Sequence, residues 1–502
     1  MKRFHGYSLG RIKCISVVFA VFVSSVVSAG AAPVWQRLET EEFEIISDAS
    51  SSDILGFAVG YTAFRHAFNE ILAPSGRKVP RSCLVLFRRG SAMQKYGPKT
   101  EDSDHELLTF TTQVDDMALV AMSISGNRDQ ALRLAYEFET VWALQRVGYL
   151  VPTWMAQGTG MVLSSLELKK GKCFFGDQRD DRAEAFLGTN DLLAWNHFFE
   201  ISRGSDEYTG KKQAGVFQTQ SWALMHWILL GKEHPRDEFE KLAASLRKTT
   251  DLEAVQNVTG SQSKDFTKAI VRHLRGKDVI YELSFDEKDV RAKLILKPAT
   301  EAEVHVQLAN ILAAANRYAE AYKELDQAVA LAPQSTYVKE ALARRAIHEE
   351  RNDDAAKFYR DAIASGSTNP RAYLYSASTR LDEYSSGGVD YAGAGGASTE
   401  LALVEIRKAL ALNPGSAEGY RLLGRGLYIL PKIAEKDIEE LSFGVRNGAD
   451  GCRVRFYRAL LYLRMEKKSE CVEDLKVIIA DSDASHHTRR SAQDRLAKLT
   501  RK

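Results

Sequence analysis

Apolar residues recur along this chain with two different periods, and the change from one to the other divides it. From Val34 to about Asp278 short strand-like runs alternate with longer helical patterns. "FEIIS" (Phe43–Ser47) alternates as a strand does, and "CLVLFRR" from Cys83 is a continuous apolar run of the buried kind. "LLTFTTQ" and "ALVAMSI" repeat the strand signal between Leu107 and Ile124. "DILGFAVGYTAFRHAFNEIL" from Asp53 reads instead as a long amphipathic helix. A second helix begins after "SGN", where Asn127 can cap it with Gln130 three residues on. "FQTQSWALMHWILLG" (Phe217–Gly231) is a third, almost wholly apolar. The mixture predicts an α+β domain, a small sheet with helices.

Beyond Glu301 only the helical period remains, and it repeats. "NRYAEAYKELDQAVALAP" and "RNDDAAKFYRDAIASGSTNP" lie in register 34 residues apart, so that Ala321, Leu325 and Ala328 fall over Ala355, Tyr359 and Ala362. A third copy closes with Ala402, Ile406, Ala409 and Pro414, and a fourth opens with Tyr420, Leu423, Gly424 and Leu427. A last hairpin shows Ala459, Tyr462, Cys471 and Leu475. Alanine at a crossing lets two helices approach, and bulky neighbours fill the groove beside it. This spacing resembles the tetratricopeptide (TPR) family, an all-α solenoid in which stacking buries faces that no single hairpin can bury. The resemblance implies a face for a protein or peptide partner. "DEYSSGGVDYAGAGGASTE" (Asp382–Glu400) interrupts the third hairpin and reads as a Gly/Ser-rich loop tolerated at the solenoid edge. "HHTRRSAQDRLAKLTRK" reads as a polar capping helix and tail.

The first residues stand apart. Lys2, Arg3, Arg11 and Lys13 precede the apolar "ISVVFAVFVSSVV", and "SAGAAP" supplies small residues suited to cleavage after Ala31. Thirteen apolar residues fall short of the roughly 20 that a membrane-spanning helix needs. A signal peptide predicts a periplasmic or extracellular bacterial protein without a stable membrane span after cleavage. Its removal takes four basic and no acidic side chains from a chain with 68 basic and 66 acidic ones, leaving a net charge of −2. Such a balance offers no footprint for nucleic acid. At 45% hydrophobic and 27% charged the composition is that of a globular protein. Among the cysteines left, Cys83 and Cys173 could pair in an exported protein. Cys452 and Cys471 start two antiparallel helices, roughly 20 Å apart at 1.5 Å per residue, and cannot.

One stretch carries candidate chemistry. "ALRLAYEFETVWALQRVGYLVPTWMAQG" (Ala131–Gly158) is a helix, a short loop and a second helix start. With its flanking strands it resembles the peptidase MA-like domain, a gluzincin zinc-protease fold whose pattern is His-Glu-x-x-His followed by Pro-x-Trp-x-x-Glu-Gly. Pro152, Trp154 and Gly158 match, as does Glu137. The positions of the three metal ligands hold Tyr136, Thr140 and Gln157 instead. Two imidazoles one helical turn apart and a carboxylate from the next helix would grip zinc and leave a fourth site for water. A phenol, an alcohol and a carboxamide bring neither charge nor a strong nitrogen donor. The resemblance therefore implies a pseudoenzyme: no metal, no cofactor and no catalytic residue, with Tyr136, Glu137, Thr140 and Gln157 vestigial. A hydrogen bond between the Tyr136 hydroxyl and the Gln157 amide is the expected replacement. His66, His105 and His197 are scattered, and His226 in an apolar helix reads as a satisfied core histidine. Asp115–Asp116 and Asp177–Glu184 read as solvated loop surface. The expected layout is a signal peptide over 1–31, the degenerate domain over 32–280, a linker over 281–300, repeats over 301–483 with the insertion at 382–400, and a cap over 484–502. The expected function is an exported, non-enzymatic interaction protein; the alternative is a metal-dependent or other hydrolase with a non-standard active site.

Overall fold

The computed structural model describes residues 34–73, 79–99, 109–125, 128–146, 151–177, 181–210, 212–232, 234–246, 248–276, 280–382, 392–447, 451–481 and 484–500. The signal segment 1–31, the Asn127 cap, His105 and the centre of the 382–400 insertion lie outside them.

The chain begins with strands β1 (Gln36–Glu39) and β2 (Phe43–Ser47), helix α1 (Ser51–Ile71), strand β3 (Ser82–Phe87) and helix α2 (Gly90–Tyr96). Strands β4 (Thr109–Val114) and β5 (Met117–Ser123) form a hairpin, and helices α3 (Arg128–Arg146) and α4 (Thr153–Leu163) follow. A six-stranded sheet results, in the order β4-β5-β3-β2 and then β1 and a later strand. Its centre is parallel: β3 pairs with both β2 and β5 in that sense. Central strands buried on both faces explain the unbroken apolar runs in the sequence. Leu84, Leu86, Val120 and Met122 pack toward α1, while Cys83, Val85, Phe87 and Leu119 point the other way. Alternation along each strand makes that division.

Strands β6 (Glu167–Lys169) and β7 (Lys172–Phe175) lead into α5 (Asp181–Gly188), α6 (Trp195–Glu200), α7 (Asp206–Thr209) and the long α8 (Ala214–Leu230). Then come α9 (Pro235–Leu246), α10 (Asp251–Thr259), α11 (Ser263–Leu274), β8 (Tyr281–Ser284), α12 (Glu287–Lys293) and β9 (Leu296–Pro298). The segment 281–300, expected as a linker, is thus part of the domain. Leu283 of β8 pairs with Cys173 of β7 in a small antiparallel sheet, and Leu296 of β9 pairs with Leu38 at the edge of the large one. Strands of three or four residues are too short to show a period, which is why the pattern there reads as a connection.

Five helical hairpins make the carboxy-terminal part. They are α13 (Glu301–Ala314) with α14 (Tyr318–Leu331), α15 (Thr336–His348) with α16 (Asn352–Ala364), and α17 (Pro370–Asp382) with α18 (Ala397–Leu412). Next are α19 (Ala417–Ile429) with α20 (Glu435–Asn447) and α21 (Gly451–Arg464) with α22 (Lys468–Ala480), closed by α23 (His486–Thr500). Three of the hairpin turns share one geometry. Asn316, Glu350 and Glu466 take left-handed backbone angles, with φ of 60°, 58° and 60°. Each following amide bonds a carbonyl five residues back, as Arg317 does to Leu312 at 2.8 Å. Small residues at the crossings are buried, Ala328, Ala343, Ala355, Ala362 and Ala409 completely.

Trp35–Lys502 is one compact unit, and the array is built onto the sheet rather than tethered to it. Val304, Leu308 and Ile311 of α13 share a core with Ile46, Val85 and Leu119 on the face of the sheet opposite α1. Burying each such side chain stabilises by about 1.5–3 kcal/mol, so detaching the array is costly. The same division excludes the Cys83–Cys173 bridge. Cys83 faces α13, whereas Cys173 packs with Val59 and Ala63 of α1, and both are free thiols. Cys452 and Cys471 are free as well; the Cys452 thiol donates to Asp481 at the far end of α22, 2.9 Å away.

Candidate functional site

Helices α3 and α4 lie side by side, as the expected layout requires. A Cβ built on Gly160 would sit 3.0 Å from the Glu137 carbonyl oxygen, so α4 presses on α3 at that turn. Gln157 is one turn before Gly160. The side chains, however, do not join there. The Tyr136 ring is buried and stacks on Phe64, with centroids 4.2 Å apart and planes 3° from parallel. Its hydroxyl faces α1, 3.6 Å from where a Cβ on Gly60 would lie. Thr140, fully buried, turns its hydroxyl back onto the Tyr136 carbonyl at 2.8 Å. Gln157 is half-buried and hydrogen-bonds to no described residue, so the expected Tyr136–Gln157 bond does not form.

Glu137 has a partner of a different kind. Arg182 of α5 donates to its Oε1 at 2.7 Å, and the Ser164 hydroxyl donates to the same oxygen at 3.1 Å. Arg182 is held in place by the Met161 carbonyl at 2.9 Å. Asp181 and Glu184 beside it are exposed, as a solvated charge run should be, but Arg182 is not. The "VPTWMAQG" residues have structural work. Pro152 opens α4 as its N-cap residue. Trp154 is fully buried and donates its indole N–H to Asp251 at 2.9 Å, opposing the burial that pushes that carboxyl up. A Cβ on Gly158 would meet the Ser221 carbonyl oxygen at 2.1 Å, so only glycine lets α4 and α8 approach this closely.

A buried ion pair between α1 and α3 lies outside every expectation from the sequence. Arg65 and Glu139 are 1% and 0% exposed, with Nη1 and Oε2 3.5 Å apart. The Ser82 hydroxyl donates to the same carboxylate oxygen at 3.0 Å, and the guanidinium also bonds the Val79 and Pro80 carbonyls. Burial pushes the Glu139 carboxyl up, and Arg65 opposes that shift. No sequence signal marks it: Arg65 is the one arginine in the apolar run of α1, but Glu139 shares α3 with Arg133 and Glu137. On the other side of the domain, His226 donates one ring nitrogen to the Gly176 carbonyl at 3.0 Å and meets His273 with the other at 2.8 Å. Burial lowers both pKa values to about 4. It is a satisfied core histidine, as expected. His66 bonds the Ser284 carbonyl and His197 pairs with Glu207 on the surface. Among the described residues, no three His, Cys, Asp or Glu side chains are grouped so as to hold a metal ion, and no helix is long and apolar enough to cross a membrane.

The seam between sheet and array holds the other polar concentration. Glu44 on β2 is 2% exposed and accepts from Gln307 of α13 at 3.3 Å and from Arg37 at 3.3 Å. Arg317 donates to the Lys95 and Gly97 carbonyls at the end of α2, both at 2.8 Å. A cleft of about 930 Å³ opens beside Glu44, lined by Glu39, Glu42, Arg81, Tyr337 and Asn413 among others. Asp115–Asp116, expected as solvated loop, is the two-residue turn between β4 and β5, and it enters the array. The Asp115 side chain is 7% exposed. Its Oδ2 accepts from Arg344 Nη1 and Asn369 Nδ2, each at 2.8 Å, and Tyr359 approaches Oδ1 at 3.4 Å. A turn carboxylate is solvated only until something donates to it, and here the donors come from 229 to 254 residues away.

No family model matches the chain, and no curated protein is similar to it. Ten chains of solved structures match. One is YrrB, described as a TPR protein with an unusual peptide-binding site: 16% identical, covering 38% of this chain and 92% of that one, with a TM-score of 0.32. Another is TTC0263, a thermophilic TPR protein of Thermus thermophilus: 19% identical, covering 39% and 99%, with a TM-score of 0.27. At those scores the likeness adds nothing to what the hairpins themselves display.

Proposed function

We propose that this chain is an exported, non-enzymatic protein-interaction protein. In this reading an α/β domain that resembles the peptidase MA-like fold, without zinc ligands, anchors one end of a TPR-like array that binds a protein or peptide. The observation that carries it is the state of Glu137. Hydrolysis by this type of site needs a carboxylate able to take a proton from a metal-bound water. Here Arg182 holds that carboxylate at 2.7 Å, while Tyr136 and Thr140 are used in packing. A phenol stacked on Phe64 and an alcohol bonded to its own helix do not fit a zinc ion. The test is metal analysis and a peptidase assay on the purified chain. We expect no stoichiometric zinc and no cleavage; bound zinc with cleavage abolished by Glu137→Gln overturns the reading. Export rests on the pattern of residues 1–31. Amino-terminal sequencing of the exported chain should begin at Ala32, and an uncleaved, cell-retained product would refute it.

A further inference from the structure

The seat of Asp115 is assembled by the array without help from the residue that fills it. Arg344 is oriented by a second hydrogen bond, from its Nη2 to Asn310 of α13 at 3.0 Å. Asn369 is oriented by Glu340, 3.3 Å away, whose other oxygen accepts from Ser367 at 2.6 Å. Donors fixed in this way recognise a carboxylate with little reorganisation. Next to the seat is an unfilled hollow of about 370 Å³, lined by Ala313, Tyr318, Tyr322, Leu325 and Ala341. Asp115 occupies the charged end, and Gln113 and Val114 just before it line the hollow without filling it.

The segment that delivers Asp115 is poorly secured. Among the described residues β4 is the edge strand, paired on one side only, and it is half-buried along most of its length. Asp115 itself adopts φ 53°, a left-handed angle that an aspartate takes at some cost. The core shared with α13 comes mainly from β2, β3 and β5, to which β4 adds only the half-buried Phe110 and Val114, so the tip can leave while the domain stays docked.

We propose that the Arg344–Asn369–Tyr359 seat binds an acidic peptide segment with an apolar side chain beside its carboxylate, and that the Asp115 turn is an internal ligand that keeps the seat closed. This rests on the reading of the array as a protein-binding surface. The partner competes with the turn, and its apparent affinity is reduced by the fraction of chains whose seat is filled.

A fluorescent synthetic peptide copying residues 110–120 (FTTQVDDMALV) is the probe, used with the full chain. Asp115→Asn keeps the turn, since asparagine tolerates the left-handed angle, and removes the charge that closes the seat. The Asp115→Asn chain should bind the probe at least tenfold more tightly than the native chain, and adding Arg344→Gln should abolish the gain. Equal binding by the native and Asp115→Asn chains, or binding that survives Arg344→Gln, overturns the proposal. Should Asp115→Asn not fold, the native chain decides through amide exchange. Excess probe should speed exchange in β4 and the turn, and a probe with both aspartates replaced by asparagine should not. Unchanged exchange overturns the proposal. A partner that copurifies with the chain while the probe fails removes the internal ligand but leaves the protein-binding reading standing.

Discussion

The α1–α3 core and the sheet–array seam each bury an arginine against a carboxylate, but they bury them differently. Arg65 and Glu139 are sealed at 1% and 0% exposure inside one domain. Arg344 and Asp115 meet at 20% and 7% where two parts of the chain abut. A sealed pair has no water to fall back on, so losing one member strands a charge in a low dielectric. A pair at a seam can be rehydrated when one side withdraws. The first arrangement serves rigidity and the second permits exchange, and four measurements bear on that contrast.

Breaking the sealed pair should have the largest effect. Arg65→Met leaves Glu139 facing hydroxyl groups alone and should lower unfolding stability by about 3–5 kcal/mol, read from urea denaturation. Arg65→Met with Glu139→Leu should recover most of the loss, because the stranded charge goes with its partner. A single variant as stable as the native chain would mean that the pair is not sealed.

Acid provides the next largest effect. His226 and His273 have folded pKa values lowered to about 4 against 6.5 when unfolded. Above pH 6.5 both states are neutral and their stabilising effect is fully present. As pH falls toward 4 the unfolded chain takes up protons that the folded one refuses, so stability drops. For His226 alone the loss is about 3 kcal/mol. His226→Asn should flatten the decline between pH 6.5 and 4, and an unchanged slope would refute the assignment.

Arg344→Ala should cost less than Arg65→Met, about 1–2 kcal/mol, because Asp115 keeps Asn369 and Tyr359 and gains water. A loss as large as that of Arg65→Met would make the seam a second core and leave no room for exchange. Neither pair was legible in the sequence. Their members lie 74 and 229 residues apart, and a period reports on one element at a time. The helical hairpins, by contrast, were legible because a 34-residue spacing is internal to the pattern. The helix–loop–helix layout of α3 and α4 was readable from the spacing of Glu137, Pro152, Trp154 and Gly158, although Trp154 and Gly158 hold α4 to Asp251 and α8 rather than to α3. The partners of Tyr136, Glu137 and Gln157 were not readable, since Phe64 and Arg182 reach them from elsewhere in the fold. Asp115–Asp116 shows the limit most clearly, as the same two letters describe a solvated turn and an occupied seat.

The smallest effect tests how closely Tyr136 is bound into the sealed region. Gly56 and Gly60 are both half-buried positions of α1, one turn apart. A Cβ on Gly56 would meet nothing within 4 Å, whereas one on Gly60 would touch the Tyr136 hydroxyl at 3.6 Å. Alanine in place of a helical glycine stabilises by about 0.5–1 kcal/mol through the backbone alone. Gly56→Ala should therefore raise stability by that amount. Gly60→Ala should gain less, because its methyl group lies against a polar atom that is already buried. Equal gains at both sites would mean that the Tyr136 hydroxyl does not lie against α1, and with it would go the view that this ring has exchanged metal-site geometry for packing.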